Sequence, residues 1–278
     1  MGWQNWQKLL NYAVFTEAVG VVAVTLLSLL IPLSFFAIAK LCSYNYLVTV
    51  TSDIEHPSSS FLFSFVLYIN PAILYVLGSI VSVATLVHGL TGKAFLILIH
   101  DATGRTYKPC LYAAWITLTT LQFCVGTGIA GTQLFGIDNY SFENGRSLLC
   151  RIIFFLGLHE TMLQWFRAVI KPVVDHTVFG VSRDETWVQR VTMALAFGTL
   201  WGWRLGEEVD SLVIVAGAKM GLVMPLGVAD LIGWWLYYLT FAIGVVKIIK
   251  SLFRFCMLIH CRRVCKFLAE PDWHEEKV

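Results

Sequence analysis

The sequence has few charged residues for its length. Of its 278 residues only 14% are Asp, Glu, Lys or Arg, whereas 57% are hydrophobic, and the mean hydropathy is +0.71. Soluble domains carry about 25% charged residues. The composition therefore excludes a soluble globular domain and favours a protein that lies in a membrane.

The motifs of common enzymes are missing as well. The sequence has no Walker loop, no GxSxG elbow, and no GxGxxG that follows a strand and opens a helix. His159 and Glu160 match the start of the zinc motif HExxH, but Leu163 stands where the second histidine is required. The seven histidines form none of the boxes that a membrane di-iron enzyme needs. We therefore predict that the protein is not an enzyme and binds no cofactor or structural metal.

Paired cysteines are also absent. The seven cysteines include no CxxC pair and no zinc-type spacing, so neither a disulfide framework nor a zinc site is expected. Three of them, Cys256, Cys261 and Cys265, lie in a basic stretch after the last apolar segment. This is the usual setting for palmitoylation, and unmodified thiols beside a membrane are the alternative.

Long apolar segments dominate the sequence instead. A bilayer core about 30 Å thick needs about 20 apolar residues in one helix, and five segments and a sixth, broken one approach that length. The segments are residues 13–39, 61–90, 111–136, 148–174, 187–204 and 226–249. The predicted fold class is an all-α, polytopic membrane bundle of about six spans, with four as the lower bound. Residues 1–250 form the single transmembrane domain, and residues 251–278 form a basic cytoplasmic tail.

Two features predict irregular helices within this bundle. Pro32 and the pair Asn70-Pro71 lie inside predicted spans and should kink them, because each proline removes a backbone hydrogen bond. Residues 212–224 form an apolar run before the last span that is too short to cross the bilayer. We expect this run to be either a re-entrant segment or an amphipathic connector.

The basic residues predict the orientation. When six spans are laid out in alternation, fourteen Lys and Arg residues lie on one side and four on the other. Because basic loops remain in the cytoplasm, both termini are expected to be cytoplasmic. Asn139 begins a glycosylation sequon in a loop on the opposite side and is a candidate acceptor. Residues 247–266 predict a basic amphipathic helix along the anionic leaflet, or one that binds a cytosolic partner.

Charged residues within the spans need partners, because a charge at the bilayer centre costs about 3 kcal/mol. Similar depth predicts a structural ion pair between Glu17 of the first span and Arg167 or Lys171 of the fourth. The same reasoning predicts a second pair between Arg151 and Asp230, near the opposite face.

Two acidic sites are candidates for an ion pathway. Glu160 lies near the middle of its span, and no basic residue of another span is expected at its depth, so His159, water, an ion or a proton must neutralise it. The second site is the turn that contains Glu207, Glu208 and Asp210. In a monomer this turn is a solvated loop. Repeated around the axis of a cyclic oligomer, it would form an acidic vestibule that concentrates cations.

In its length, compact loops, acidic turn from Gly206 to Ser211 and basic tail, the sequence resembles the WeiTsing family of small plant membrane proteins. The resemblance covers most of the chain. It implies a homopentamer in the endoplasmic reticulum membrane with a central, calcium-permeable cation pore. It also implies that the channel releases luminal calcium to the cytosol in plant defence.

The residues and the resemblance together predict a homo-oligomeric cation channel. Glu207, Glu208 and Asp210 would form its luminal mouth, and Glu160 would lie on the conduction path. The expected partners are the lipid bilayer, calcium and other permeant cations, and further copies of the chain, with no nucleic acid. The alternative is a non-conducting protein, either an accessory subunit or a lipid-modifying enzyme without a recognisable motif.

Overall fold

The computed structural model describes residues 3–50, 71–92, 108–134, 147–180, 183–222 and 226–268. Side chains are described for residues 14–46, 71–92, 110–130, 147–180, 183–222 and 226–261. Every regular element in these ranges is a helix, which confirms the predicted all-α class. The main helices are α1 (Trp3–Ser28), α2 (Leu30–Val50), α3 (Pro71–Thr91), α4 (Lys108–Leu134), α5 (Leu148–Trp165), α6 (Trp187–Leu200), α7 (Ser211–Gly221) and α8 (Val228–Leu268).

Three helical segments are long and apolar enough to cross a membrane. They are Val14–Tyr46, Pro71–Thr91 and Cys110–Ala130, and they coincide with the first three predicted spans. Helices α5, α6 and α8 occupy the other three predicted spans and are not among these three apolar segments. The structure thus supports a membrane protein with three strongly apolar helices.

The first apolar segment is interrupted, as Pro32 predicted. Helix α1 ends at Ser28 and α2 begins at Leu30, two residues before the proline. Proline lacks an N–H and its ring crowds the carbonyl four residues earlier, which here belongs to Ser28. The Trp165 indole donates a hydrogen bond of 3.2 Å to the Leu27 carbonyl beside the break. The kink predicted at Asn70-Pro71 is not tested, because Asn70 lies outside the described residues.

Helices α5 and α6 both continue through π-helical turns. After Trp165 the chain passes through the turn Phe166–Ile170, a short α-helical turn and the turn Asp175–Phe179. It ends at Gly180, whose φ of 70° is the left-handed conformation that a helix C-terminus favours. Helix α6 likewise continues through the π-helical turn Trp201–Leu205. Such turns widen the helix locally and displace the side chains that follow them.

Side-chain contacts fix the directions of the helices. Phe154 stacks on Tyr237 at 4.8 Å between ring centroids, and three residues further along both helices Gly157 meets Thr240, so α5 and α8 are parallel. The segment that α1 and α2 form together is antiparallel to α5, since Phe35 of α2 contacts Phe154 at 6.2 Å while Leu27 of α1 contacts Trp165.

Helix α6 is also antiparallel to α5. Phe197 lies against Phe155 with ring centroids 5.0 Å apart. Trp201, in the π-helical turn that continues α6, reaches Phe154, one residue earlier in α5. Helices α2, α5, α6 and α8 therefore have the relative directions that six alternating spans require.

The short run before the last span forms helix α7. Its eleven residues extend about 16 Å, which is about half of a bilayer core. Ser211, at its start, bonds the Ala39 carbonyl of α2, and Lys219, near its end, contacts Asp230 in the first turn of α8. Both ends of α7 therefore lie at the same end of the bundle.

Helix α8 continues far beyond the last predicted span. Its 41 residues correspond to roughly 60 Å, twice the thickness of a bilayer core. The helix passes through residue 250, where the predicted domain boundary falls, and ends at Leu268. The predicted tail helix is thus present as a direct extension of the span, and its described side chains from 251 to 261 are all exposed.

Two glycines allow α5 and α8 to cross with their backbones in contact. A Cβ atom on Gly157 would lie 2.0 Å from the Thr240 carbonyl oxygen, and one on Gly244 would lie 2.0 Å from the Ile153 carbonyl oxygen. No side chain can rotate to relieve either clash, because the opposing atoms belong to the backbone. The two helices must therefore have glycine at both positions.

This contact predicts unequal effects of two glycine-to-alanine substitutions. Gly244→Ala should lower the free energy of unfolding by about 2 kcal/mol or more, because overpacking forces the helices apart. Gly198→Ala, in α6, meets no atom within 4 Å and should be neutral or stabilise by up to about 1 kcal/mol, since alanine favours helix. Thermal unfolding in detergent, followed by circular dichroism, measures both. Equal melting temperatures would contradict the close crossing.

Candidate functional site

The charged residues of the described chain lie mainly in two layers, one at each end of the bundle. The turn end holds residues 206–211, the start of α5 and the start of α8, whereas the tail end holds the regions around Lys171 and Lys247. Aromatic rings fill the space between the layers, with Phe154 packed against Phe35, Trp201 and Tyr237. The polar residues that sequence analysis singled out therefore belong to two separate sites.

At the turn end, Asp210 binds Arg151. Both Nε and a terminal nitrogen of Arg151 contact the same oxygen of Asp210, at 3.0 and 2.9 Å. The aspartate side chain is only 4% exposed, while the arginine is one-third exposed. A carboxylate that is this deeply buried is stable in its charged form only with such a partner. Asp210 is thus a structural anchor between the turn and α5.

Glu208 forms the second anchor of the turn. Its carboxylate lies 2.6 Å from the ammonium group of Lys40 in α2, whose side chain is 5% exposed. The hydroxyl of Ser211 adds a contact to α2, because it lies 3.1 Å from the Ala39 carbonyl oxygen. The turn is therefore bound to α2 on one side and to α5 on the other.

A third buried pair joins α7 to α8. Lys219 lies 2.7 Å from Asp230, and both side chains are less than 10% exposed. The Gly227 amide donates a further hydrogen bond of 3.1 Å to the same carboxylate oxygen. The pair ties the end of α7 to the N-terminal turn of α8, where a carboxylate is favoured by the helix dipole.

The predicted pair between Arg151 and Asp230 is therefore wrong. Arg151 binds Asp210, and Asp230 binds Lys219. The prediction considered only the depth of each residue within a predicted span. Helix α7 packs against both α2 and α8, and Asp210 and Lys219, at its start and near its end, lie at the depth of Arg151 and Asp230. Residues outside the spans thus supply both partners.

Glu207 differs from its two acidic neighbours. Its side chain is exposed and takes part in no ion pair among the described residues. From the sequence, Glu207, Glu208 and Asp210 are expected to be equivalent members of one acidic turn. Of these three carboxylates, Glu207 alone is exposed and unpaired within the described part of the chain.

At the tail end, Glu160 binds Lys247. The Lys247 ammonium group lies 2.5 Å from the Glu160 carboxylate. The prediction that no basic residue of another span reaches Glu160 is therefore wrong. Lys247 is near the end of the last span, and its long side chain reaches along the parallel helix α5. His159, the adjacent candidate, packs against Phe155 and Phe197 instead.

The pairs predicted for Glu17 are also wrong. Arg167 binds Glu185, which lies just before α6 and also contacts Arg190. Lys171 binds the buried Asp175 one helical turn later. Glu17 is itself exposed on α1. Sequence reasoning overlooked the short loop between α5 and α6, which supplies Glu185 at the level of Arg167.

The modification candidates are only partly described. Cys256 and Cys261 are exposed on α8. The side chain of Cys265 and the whole of the Asn139 sequon lie outside the described residues, so both remain predictions.

The buried pair between Lys219 and Asp230 predicts a non-additive effect of substitution. Removal of one partner, as in Lys219→Met, should destabilise the protein by about 3–5 kcal/mol because it leaves a buried charge uncompensated. The double variant Lys219→Met/Asp230→Asn should recover most of this loss.

Unfolding in detergent by heat or by denaturant provides the measurement. Arg190→Gln serves as the control, since Arg190 is 60% exposed and its pair should contribute less than about 1 kcal/mol. If the losses of stability in Lys219→Met and Asp230→Asn simply add up in the double variant, the pairing is contradicted.

Comparison with known proteins identifies no relative: no family model, no curated protein and no solved structure matches the chain. Its function is therefore inferred from its own helices and charges.

Proposed function

We propose that the chain is a subunit of a homo-oligomeric cation channel, and that Glu207 lies at the mouth of its pore. This proposal rests on the difference in exposure and ion pairing among the three acidic residues of the turn. Glu208 and Asp210 are neutralised by Lys40 and Arg151, whereas Glu207 is exposed. Rotation of several copies about a common axis would bring the Glu207 carboxylates into one ring.

The anchors on either side of Glu207 support this role. A ring of carboxylates attracts cations and repels anions only if its members are held in a defined place. The contacts of Glu208 with α2 and of Asp210 with α5 hold the turn in that way. We therefore assign Glu207 to the mouth, and Glu208 and Asp210 to its support. Glu160 is a weaker candidate for the conduction path, because Lys247 neutralises it.

A topology of six crossings belongs to the same proposal. The alternating directions of α2, α5, α6 and α8 support it, as does the return of α7 to the end where it began. Both termini are then cytoplasmic, in accordance with the distribution of basic residues. The endoplasmic reticulum, the pentamer, calcium as the permeant ion and the role in plant defence rest on the family resemblance alone.

The test is a reversal-potential measurement on purified protein in planar bilayers, with unequal calcium and monovalent salt on the two sides. The wild-type current should reverse near the cation equilibrium potentials. Glu207→Gln should move the reversal potential towards zero and lower the conductance about twofold in dilute salt. The effect should shrink near 1 M salt, where charges are screened within about 3 Å.

Asp184→Asn is the matched control, because Asp184 is another exposed acidic residue but lies in the loop between α5 and α6. It should leave conductance and selectivity unchanged. If Glu207→Gln conducts like the wild type, Glu207 does not lie at the mouth, but the proposal of a channel is retained. Silent bilayers that contain verified, folded protein would contradict the channel and favour a non-conducting accessory subunit.

A further inference from the structure

A cavity of about 270 Å³ opens at the tail end between α3, α5 and α8. Thr85 and Ile243 form part of its wall, and both are buried. Its rim carries Lys247, Lys250 and Arg254 of α8. The volume lies below the 300–1,000 Å³ of sites for drug-sized ligands, so the cavity suits a small group.

The charge of this cavity is positive. Lys247, Lys250 and Arg254 are spaced by three and four residues and therefore share one face of α8. Among the described lining residues Glu160 is the one that is acidic, which leaves them a formal charge of +2 when His88 is counted as neutral. All three basic side chains are exposed and open to a ligand from outside.

Two of the basic groups are already held in place. Lys247 contacts Glu160, and Lys250 donates a hydrogen bond to the Gly89 carbonyl in the last turn of α3. A lysine ammonium has three N–H donors, so one bond to the protein leaves two for a ligand. Because these contacts restrict the side chains in advance, an anion that binds them loses less entropy.

The position of the cavity suits the phosphate region of a lipid leaflet. It opens where the apolar segment Pro71–Thr91 ends, beside Gly92, whose φ of 71° terminates the helix. Exposed apolar side chains, including Ile249, Leu252 and Phe253, lie on α8 next to the basic ones. A ligand with a phosphate group and acyl chains would match both surfaces.

We infer that this cavity binds the phosphate monoester of an anionic lipid head group, with Lys247, Lys250 and Arg254 as its ligands. A phosphate monoester carries nearly two negative charges at neutral pH and thus balances the charge of the cavity. Free inorganic phosphate offers the same chemistry without the acyl chains. Binding at this site does not require ion conduction, so the test of the site is independent of the proposed channel.

The test uses the full chain in a neutral detergent, with native mass spectrometry to count bound ligands. The probes are dioctanoyl phosphatidylinositol 4-phosphate, dioctanoyl phosphatidylcholine and inorganic phosphate. The phosphorylated lipid should bind and phosphatidylcholine should not. Lys250→Gln/Arg254→Gln should weaken binding about 30-fold, which corresponds to about 1 kcal/mol for each basic residue.

Two further variants separate the cavity from general attraction to a basic helix and from loss of folding. Arg262→Gln/Arg263→Gln removes the same charge further along α8 and should retain wild-type affinity. Glu160→Gln removes the competing carboxylate and should strengthen binding about 5-fold, a gain that a misfolded protein cannot give.

Each outcome then has one meaning. Tight binding of the lipid, with weak binding of inorganic phosphate, supports the inference and identifies the lipid as the source. Equal affinity for both supports the phosphate site but assigns it to the free anion. Equal loss of binding in the two double variants, or no binding by any probe to the wild type, would overturn the inference.

Discussion

The backbone contact between α5 and α8 is the constraint on which most of the bundle depends. Gly157 and Gly244 let these two parallel helices touch backbone to backbone. This arrangement stacks Phe154 on Tyr237 in the apolar middle and brings Lys247 within 2.5 Å of Glu160. The cavity at the tail end lies between the same two helices and α3. A larger side chain at either glycine would disturb the aromatic layer and the tail-end charges together.

Charge neutralisation is the second organising requirement. A buried charge must be compensated, and here partners both near and distant in sequence do so. Asp175 is bound by Lys171 of the same helix, and Asp230 by Lys219 eleven residues earlier. The pairs of Arg151 with Asp210, Lys40 with Glu208 and Lys247 with Glu160 join parts of the chain that are distant in sequence. The acidic turn consequently serves both as a structural anchor and, through Glu207, as an exposed charged surface.

Sequence reasoning succeeded where one property of the chain was sufficient. The all-α class, the apolar segments, the break at Pro32, the short helix before the last span and the helical tail each follow from local composition. The ion pairs did not follow, because a pairing depends on which helices are neighbours and in which direction they run. Depth along a span matched Arg151 with Asp230, whereas Arg151 pairs with Asp210 in the turn before α7. Similarly, Glu185 lies outside any span and was not considered as a partner of Arg167.

The sequence by itself determined that this chain is helical, apolar and rich in segments that avoid water, because hydrophobicity and backbone hydrogen bonding act along the chain. It also identified the acidic turn and the basic tail as unusual. Only the tertiary structure decided which carboxylate stays exposed and which basic groups surround a cavity. These properties arise from contacts between distant residues, such as Lys40 with Glu208, and packing alone brings such residues together.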